Sequence, residues 1–250
     1  MEPLKLILLF LGGICAGLYA SSVGGGSLVT LPALILAGLP SPIALGTNRL
    51  SAVIMEFASA WKFHREKKLR IKAAIQLALI AGMGAVIGSL IVVRIDAEIL
   101  NLIIAVVLIS LSVVVLKRGS LGLTEEPEKI HRTRARLFGG MFLLGIYWGF
   151  IGAGAGAFVA ILLVMCGYAF FEAAAIGRVI GIVGSGVALA VFAYNDLVRY
   201  PYGIALGLGT AVGSWIGIGI AVKKGNTYIR SLFLVLIVAT VIKLIVDVIH

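Results

Sequence analysis

The N-terminal apolar region is interrupted by a polar, glycine-rich break, Ser21-Ser22-Val23-Gly24-Gly25-Gly26-Ser27. A second break, Gly152-Ala153-Gly154-Ala155-Gly156, interrupts the second half of the chain. Each break precedes a short apolar segment, a tight turn and a longer segment that carries an arginine, Arg49 in the first half and Arg178 in the second. This repeated order predicts two similar halves, each organised around its break.

The composition is that of an integral membrane protein. Of the 250 residues, 61% are hydrophobic and 13% are charged, whereas soluble domains carry about 25% charged residues. Several windows of roughly 18 residues or more contain almost no charge, the length that crosses a bilayer as a helix. The sequence therefore predicts an all-α, multi-pass membrane protein.

Ten hydrophobic segments are predicted, five in each half. Those of the first half cover residues 4–20, 27–38, 42–62, 71–93 and 97–116. Those of the second half cover residues 137–151, 157–168, 172–194, 203–222 and 228–249. The predicted domains are therefore a first transmembrane repeat at 1–116, a basic cytoplasmic linker at 117–136 and a second transmembrane repeat at 137–250.

An alignment relates the two halves in sequence, at an offset of 131 residues near the breaks and of 125 and 130 residues further on. It brings Ala44 onto Ala175 and Gly46 onto Gly177. Few residues are identical, so the matched order of long and short segments is the stronger sign of a repeat. Internal repeats are a feature of many transporter folds.

The short segments predict broken helical hairpins. Segment 27–38 would be only ~18 Å long as a helix, whereas the hydrocarbon core is about 30 Å thick. Residues 39–41 are too few to cross the membrane, so 4–20 and 27–38 are expected to form a hairpin with the break at its tip. Ser41 is expected to cap the next helix. A second hairpin, 137–168, is expected to dip from the opposite face, so that the two tips meet near the midplane.

Loop charge predicts the orientation of the halves. Fifteen of the 21 Lys and Arg residues lie in 62–72, 117–136 and 223–230. The positive-inside rule assigns these loops to the cytoplasm, which makes the halves inverted repeats with both termini outside. A parallel arrangement of the halves would expose the basic 223–230 loop on the outside. The net charge of +10 then reflects membrane orientation, and no nucleic-acid partner is expected.

The two breaks and the two arginine-bearing segments form the predicted anion site. Helix N-termini present unpaired N–H groups that suit anions, and glycine lets the backbone approach a small ligand. The predicted substrate-binding residues are Ser21, Ser22, Gly24, Gly25, Gly26, Ser27, Thr47, Asn48, Arg49, Gly154, Gly156, Gly177 and Arg178. The alternative for the glycines is close packing of helices.

The two arginines carry most of this hypothesis. A charged group within a membrane costs at least ~2.5 kcal/mol, so it normally has a partner or a function. A guanidinium group also matches the bidentate geometry of an oxyanion. The structural alternatives are that Arg49 pairs with Glu56 and that Arg178 pairs with Glu172. Glu56 is a candidate for proton coupling or for a counter-ion.

The sequence contains no motif that indicates an enzyme. A Ser–His–Asp set, a metal cluster, a phosphate loop and a cofactor motif are all missing, so no catalytic residue, metal or cofactor is expected. Cys15 and Cys166 are expected to be buried small apolar residues. The expected partners are a small anion and membrane lipid, and homo-oligomerisation stays open.

The first break resembles that of the TauE/SafE family of sulfite exporters. That family has a GGGS-type turn followed by L-x-x-P, here Gly24-Gly25-Gly26-Ser27-Leu28-Val29-Thr30-Leu31-Pro32, and a Gly-Thr-Asn/Ser element, here Gly46-Thr47-Asn48. The second half departs from this pattern, since Gly154-Ala155-Gly156-Ala157-Phe158 lacks the serine. The resemblance implies export of a small sulfur-containing anion, sulfite or an organosulfonate, across the cell inner membrane.

Together these features predict a secondary transporter that works by alternating access around the two tips. The alternatives are a passive anion channel and a transporter that takes up thiosulfate or another oxyanion. A structural or sensory membrane protein, in which Arg49 and Arg178 only pack, is a further alternative.

Overall fold

The computed structural model describes residues 2–23, 26–66, 69–104, 106–107 and 133–222. All regular secondary structure in these ranges is helical. The helices are α1 (Glu2–Val23), α2 (Ser27–Leu36), α3 (Ser41–Arg65), α4 (Ile71–Val92), α5 (97–104), α6 (Arg134–Phe150), α7 (Ala155–Met165), α8 (Phe170–Tyr194) and α9 (Tyr200–Val222). The predicted all-α fold is confirmed, while the segment at 228–249 and most of the linker 117–136 lie outside the described residues.

Four stretches of the described chain are long and apolar enough to cross a membrane: Pro3–Ser21, Ile71–Val92, Phe170–Tyr194 and Tyr200–Val222. The short helices α2 and α7 have 10 and 11 residues, or about 15 and 17 Å. Their lengths agree with the prediction that they do not span the membrane alone. Helix α1 is longer than expected, because it continues through Ser21 and Ser22 to Val23.

Apolar faces of the helices point away from the protein. On α1 the exposed side chains are Leu4, Ile7, Leu8 and Leu11, with exposed fractions of 52–62%. Their spacing of three and four residues defines one stripe along the helix. A stripe of this size would be unfavourable in water, so it indicates contact with lipid.

Each short helix turns back along the longer helix before it. At the open end of the first hairpin, Lys5 Nζ donates a hydrogen bond to the Ala37 carbonyl oxygen at 3.0 Å. At the open end of the second, Thr133 Oγ1 donates to the Cys166 carbonyl oxygen at 3.3 Å. Both expected hairpins are therefore present. In each, a hydrogen bond joins the two helices at the end opposite the glycine-rich break.

The short helices end in the same way. Gly38 and Gly167 follow α2 and α7 with φ angles of 96° and 104°, a region that favours glycine. The next amides, of Leu39 and Tyr168, donate to carbonyls five residues earlier at 3.2 and 3.1 Å, as in a Schellman motif. Helices α3 and α8 begin three residues after these glycines and have 25 residues each.

These matched helix ends correct the alignment of the two halves. Gly38 corresponds to Gly167 and the start of α3 to the start of α8. In this register Arg49 falls on Arg178, since each is the ninth residue of its helix. The alignment from the sequence is therefore wrong by a small shift. It relied on alanines and glycines, which recur so often in these helices that chance matches arise.

The start of α3 differs from the expected cap. Pro40 is the N-cap residue, and Ser41 is already helical without a side-chain capping bond. The Ser41 hydroxyl instead contacts Asn101 Oδ1. Ser41 therefore joins α3 to α5.

Glycines bring α1 and α9 into close contact. A Cβ on Gly13 would lie 2.6 Å from the Leu206 carbonyl oxygen, and one on Gly17 would collide with the Thr210 carbonyl oxygen. Because the residue numbers rise together along both helices, α1 and α9 run parallel.

Helices α4 and α6 pack in the same manner. A Cβ on Gly84 would collide with the Phe142 carbonyl oxygen, and one on Gly88 with the Ile146 carbonyl oxygen. Residue numbers again rise together, so α4 and α6 are parallel. This spacing of small residues at four-residue intervals is typical of helix pairs in membranes.

Helices α3 and α8 run antiparallel against each other. Near one end of the contact the Glu56 carboxyl group lies over Gly181, and near the other Gly46 lies against Phe192. Helix α3 runs parallel to α9, since Leu50 contacts Gly203 and Ile54 contacts Gly207. This packing brings the charged residues of α3 and α8 into the protein interior.

Candidate functional site

Arg49 and Glu56 of α3 and Arg178 of α8 are charged side chains that lie in the protein interior. The exposed fractions of Arg49, Glu56 and Arg178 are 1%, 5% and 3%. Such residues are costly to bury and usually pair with one another or with a ligand. Their partners therefore indicate what each one does.

Arg178 pairs with Glu56 of the first half. Its Nη1 donates to Glu56 Oε2 at 3.2 Å and lies 3.5 Å from Oε1, while its Nη2 donates to the Ala20 carbonyl oxygen near the end of α1. Gly181 provides the space, because a Cβ there would lie 2.8 Å from the Glu56 carboxyl carbon.

This ion pair corrects both structural alternatives from the sequence. Glu56 pairs with Arg178 and not with Arg49, because the antiparallel contact of α3 and α8 brings it opposite Arg178. Glu172 pairs with Arg70, with 2.8 Å between Oε1 and Nε. Sequence spacing along a single helix could not identify these partners, since Arg178 lies on another helix than Glu56 and Arg70 precedes α4.

Arg49 has a different environment. Its guanidinium group lies against Gly152 in the second break, with Cζ 2.9 Å from the position that a Cβ would take. Gly152 has a φ angle of 66°, so both its conformation and this contact favour glycine. The Nε and Nη2 groups of Arg49 are buried and have no hydrogen-bond partner among the described residues.

The neighbouring Asn48 adds another unpaired donor. Its Oδ1 accepts a hydrogen bond from Thr30 Oγ1 at 2.6 Å. Its Nδ2 is buried and has no partner in the part of the chain that the structure describes. Leaving a buried donor unsatisfied costs about 1–3 kcal/mol, so Asn48 and Arg49 together form a region that favours an acceptor or an anion.

Each arginine reaches the break of the other half. Arg49, on α3, contacts Gly152 in the second break, and Arg178, on α8, contacts Ala20 beside the first break. Ile151 and Ala153, at the second break, belong to the same buried core cluster as Tyr19 of α1.

Some predicted site residues have other roles in the structure. Ser21 Oγ donates to the Leu18 carbonyl oxygen at 2.6 Å, and Thr47 Oγ1 accepts a hydrogen bond from the Arg199 amide at 2.9 Å. Both hydroxyl groups therefore bond within the protein. Their assignment to the substrate site stays a prediction.

The glycines of the site lie at the starts of helices or within them. Gly26 and Gly154 are the N-cap residues of α2 and α7, and Gly154 has a φ angle of 70°. Gly156 lies inside α7, and Gly177 lies on α8. A Cβ on Gly177 would meet the Val159 side chain at 3.7 Å, which is ordinary packing.

The predicted roles of the remaining residues of the first break stay open. Ser27 is the first residue of α2 and is half-buried. Gly24, Gly25 and the Ser22 side chain lie outside the described part of the chain.

The cysteines fit the sequence expectation only in part. Cys166 is buried, as expected, but Cys15 is exposed. Cys15 lies on α1, whose outward face is apolar, so a small apolar side chain there can face lipid.

Sequence reasoning missed two residues beside Arg49. Gly152 was recognised as part of the second break but was not assigned to the site. Tyr147 lies at the same break, where its hydroxyl donates to the Ala153 carbonyl oxygen at 2.5 Å. Its position five residues before Gly152 could have indicated that it lies at the site. An aromatic residue near the end of a membrane helix is, however, usually assigned to packing.

The comparison with known proteins agrees with this architecture. The family described as "Sulfite exporter TauE/SafE" matches residues 9–244, and no solved structure matches the chain.

Several curated proteins match over nearly their whole length. "Probable membrane transporter protein ORF9" of a Sinorhizobium species is 27% identical over 98% of this chain and 94% of its own. "Probable membrane transporter protein YfcA" of Escherichia coli K12 is 27% identical over 99% of this chain and 92% of its own. The chain therefore belongs to the sulfite exporter TauE/SafE family and is a membrane transporter.

Proposed function

We propose that this protein carries a small sulfur-containing anion, sulfite or an organosulfonate, across the cell inner membrane and binds it between the two hairpin breaks. The observation that supports this most is Arg49, which is buried, charged and has unpaired donors beside the unpaired amide of Asn48. Three buried donors with no acceptor in the described part of the chain suit an oxyanion, whose oxygens accept several hydrogen bonds at once. That the anion contains sulfur is inferred from the family.

The binding group is assigned to Arg49 rather than to both arginines. Arg178 already has a carboxylate partner at 3.2 Å, so its charge is balanced without a ligand. Arg49 forms no such pair with a described residue. Gly152 lies beside it, two residues before the α7 N-cap at Gly154, and the N–H groups of a helix start interact favourably with an anion.

The two halves are proposed to be inverted repeats whose breaks meet near the midplane. The directions of the helices support this. Helices α1 and α3 both run parallel to α9, and the short connection after Arg65 returns the chain so that α4 runs the other way. Because α6 is parallel to α4, the first helix of the second half runs opposite to the first helix of the first half.

The basic loops support one orientation of this arrangement. The end of α3, the start of α6 and the end of α9 then share one membrane face, and they adjoin the three loops that carry most Lys and Arg residues. The positive-inside rule makes this the cytoplasmic face. Both termini are then outside.

Transport is proposed to occur by alternating access. The two halves contact one another through Arg178 and Glu56 and through Arg49 and Gly152, so rocking of one half against the other would open the Arg49 site first to one face and then to the other. Glu56 remains the candidate for proton coupling, since protonating it would weaken this contact.

Uptake of ³⁵S-labelled sulfite into proteoliposomes tests the proposal. A carrier predicts saturable uptake that is accelerated when the vesicles contain unlabelled sulfite, because the loaded site returns faster than the empty one. A passive channel predicts flux without this acceleration. Competition by thiosulfate at lower concentrations than sulfite would favour the alternative substrate, and uptake no greater than in empty liposomes would contradict sulfite transport.

A further inference from the structure

The buried charges of Arg49, Glu56 and Arg178 do not balance. Glu56 and Arg178 form a buried pair with no net charge. Arg49 has no carboxylate partner among the described residues, and its Nε and Nη2 donors are unpaired. Counted over the described residues, the region between the breaks therefore holds one positive charge in excess.

A ligand that balances this charge should bind best. In an interior that excludes water, an uncompensated charge of either sign is unfavourable. A singly charged oxyanion beside Arg49 leaves no net charge, whereas a doubly charged oxyanion leaves one negative charge and also loses more hydration energy on entry.

We infer that the site selects singly charged oxyanions over doubly charged ones and that Glu56 sets this preference by pairing with Arg178. The ligand class is the alkanesulfonates and hydrogen sulfite, with sulfate and the sulfite dianion excluded. This inference rests on the proposed function, because it assumes that the anion binds at Arg49.

The role of Glu56 follows from its position between the halves. Arg178 also contacts Ala20 beside the first break, so its guanidinium lies at the edge of the region that the anion occupies. While Glu56 is ionised, it cancels the Arg178 charge. Without that carboxylate the region would carry two positive charges and would suit a dianion.

Binding of methanesulfonate and of sulfate to the purified full-length protein in detergent tests this inference. The two probes differ by one oxygen replaced by a methyl group, and their charges do not change near neutral pH. Dissociation constants are measured by calorimetric titration for the wild type, Glu56→Gln, Glu56→Gln/Arg178→Gln and Arg49→Gln. These proteins have excess charges of +1, +2, +1 and zero at the site. The ratio of the methanesulfonate and sulfate dissociation constants is compared with this excess charge.

The wild type is expected to bind methanesulfonate at least about tenfold more tightly than sulfate. The Glu56→Gln variant should shift this ratio toward sulfate by about tenfold or more, since an added charge acts strongly in a low-dielectric interior. The double variant should return to the wild-type ratio, and Arg49→Gln should bind neither probe. Because the ratio of each variant is compared with that of the wild type, the difference in hydration between the probes cancels from that comparison.

Equal binding of both probes by the wild type, or a tighter affinity for sulfate, would overturn the inference and leave anion transport in place. An unchanged ratio in a folded Glu56→Gln variant would overturn the role of Glu56. If Glu56→Gln does not fold, the test uses Glu56→Gln/Arg178→Gln instead. A ratio of its two dissociation constants that differs from the wild-type ratio contradicts the inference. Failure of the wild type to bind methanesulfonate, sulfate or sulfite would overturn the proposed function as well.

Discussion

Arg178 and Glu56 lie 122 positions apart in the chain and form a buried ion pair of 3.2 Å between α8 and α3. Arg49 occupies the same place in α3 as Arg178 does in α8, yet it has no carboxylate partner in the described structure. Two equivalent arginines therefore have different environments. We assign Arg178 to contact between the halves and Arg49 to the ligand.

Removing the Arg178 charge should destabilise the protein. Arg178→Gln leaves the Glu56 carboxylate buried without its partner, which costs about 3–5 kcal/mol in comparable buried pairs. The Glu56→Gln/Arg178→Gln protein removes both charges and should recover most of that loss. The stability of both variants is measured by their unfolding midpoints in detergent. A double variant as unstable as the single one would show that the ion pair does not account for the lost stability.

The conformation of Gly152 should matter for binding as well as for stability. Gly152→Ala would strain a φ angle of 66° and push its Cβ into the Arg49 guanidinium group, so anion affinity should fall by about tenfold or more, or roughly 1.4 kcal/mol. The control is Gly167→Ala, which strains a φ angle of 104° at the far end of α7. Titration with sulfite should show reduced affinity only for Gly152→Ala, and equal losses would refute a specific effect on Arg49.

Close packing of α4 and α6 should not tolerate a methyl group. A Cβ on Gly149 would collide with the Ala85 carbonyl oxygen, whereas a Cβ on Gly139, earlier in α6, meets nothing within 4 Å. Gly149→Ala is expected to cost about 1–3 kcal/mol, as overpacking does in other proteins, and Gly139→Ala should be nearly neutral. Unfolding measurements in detergent compare the two, and matching stabilities would contradict this helix contact.

The inverted arrangement predicts that the hairpins open toward opposite faces of the membrane. Pro40 follows the first hairpin, and the exposed Arg134 begins the second. In a background without Cys15 and Cys166, Pro40→Cys should react with an impermeant maleimide from outside the cell. Arg134→Cys should react only after the membrane is permeabilised. Labelling of both cysteines from one side would rule out the inverted arrangement of the two halves.

The sequence predicted the helices well because long apolar segments, prolines and glycines act locally. The predicted segments 71–93 and 172–194 correspond to Ile71–Val92 and Phe170–Tyr194. The short segment 27–38 likewise corresponds to Ser27–Leu36. Length and hydropathy are sufficient for such assignments, since a membrane helix satisfies its own backbone hydrogen bonds.

The partners of the charged residues could not be predicted in the same way. Whether Glu56 meets Arg49 or Arg178 depends on how α3 and α8 pack, and no local pattern encodes that contact. The contact between Arg49 and Gly152 likewise joins two halves of the chain. The sequence identified both arginines as candidates, but only the fold separates the paired one from the unpaired one.

The most direct test of the Arg49 assignment is a titration with sulfite in which the unfolding temperature is the readout. It compares the wild type, Arg49→Lys and Arg49→Gln. At about 100 times its dissociation constant, sulfite should stabilise the wild type by about 2.7 kcal/mol. Arg49→Lys keeps the charge but not the bidentate geometry, so it should respond only at higher concentrations. Arg49→Gln should be at least as stable as the wild type without sulfite, because it removes an unpaired buried charge, and should gain nothing from sulfite. Stabilisation of Arg49→Gln by sulfite at wild-type concentrations would contradict the assignment of the anion site to Arg49.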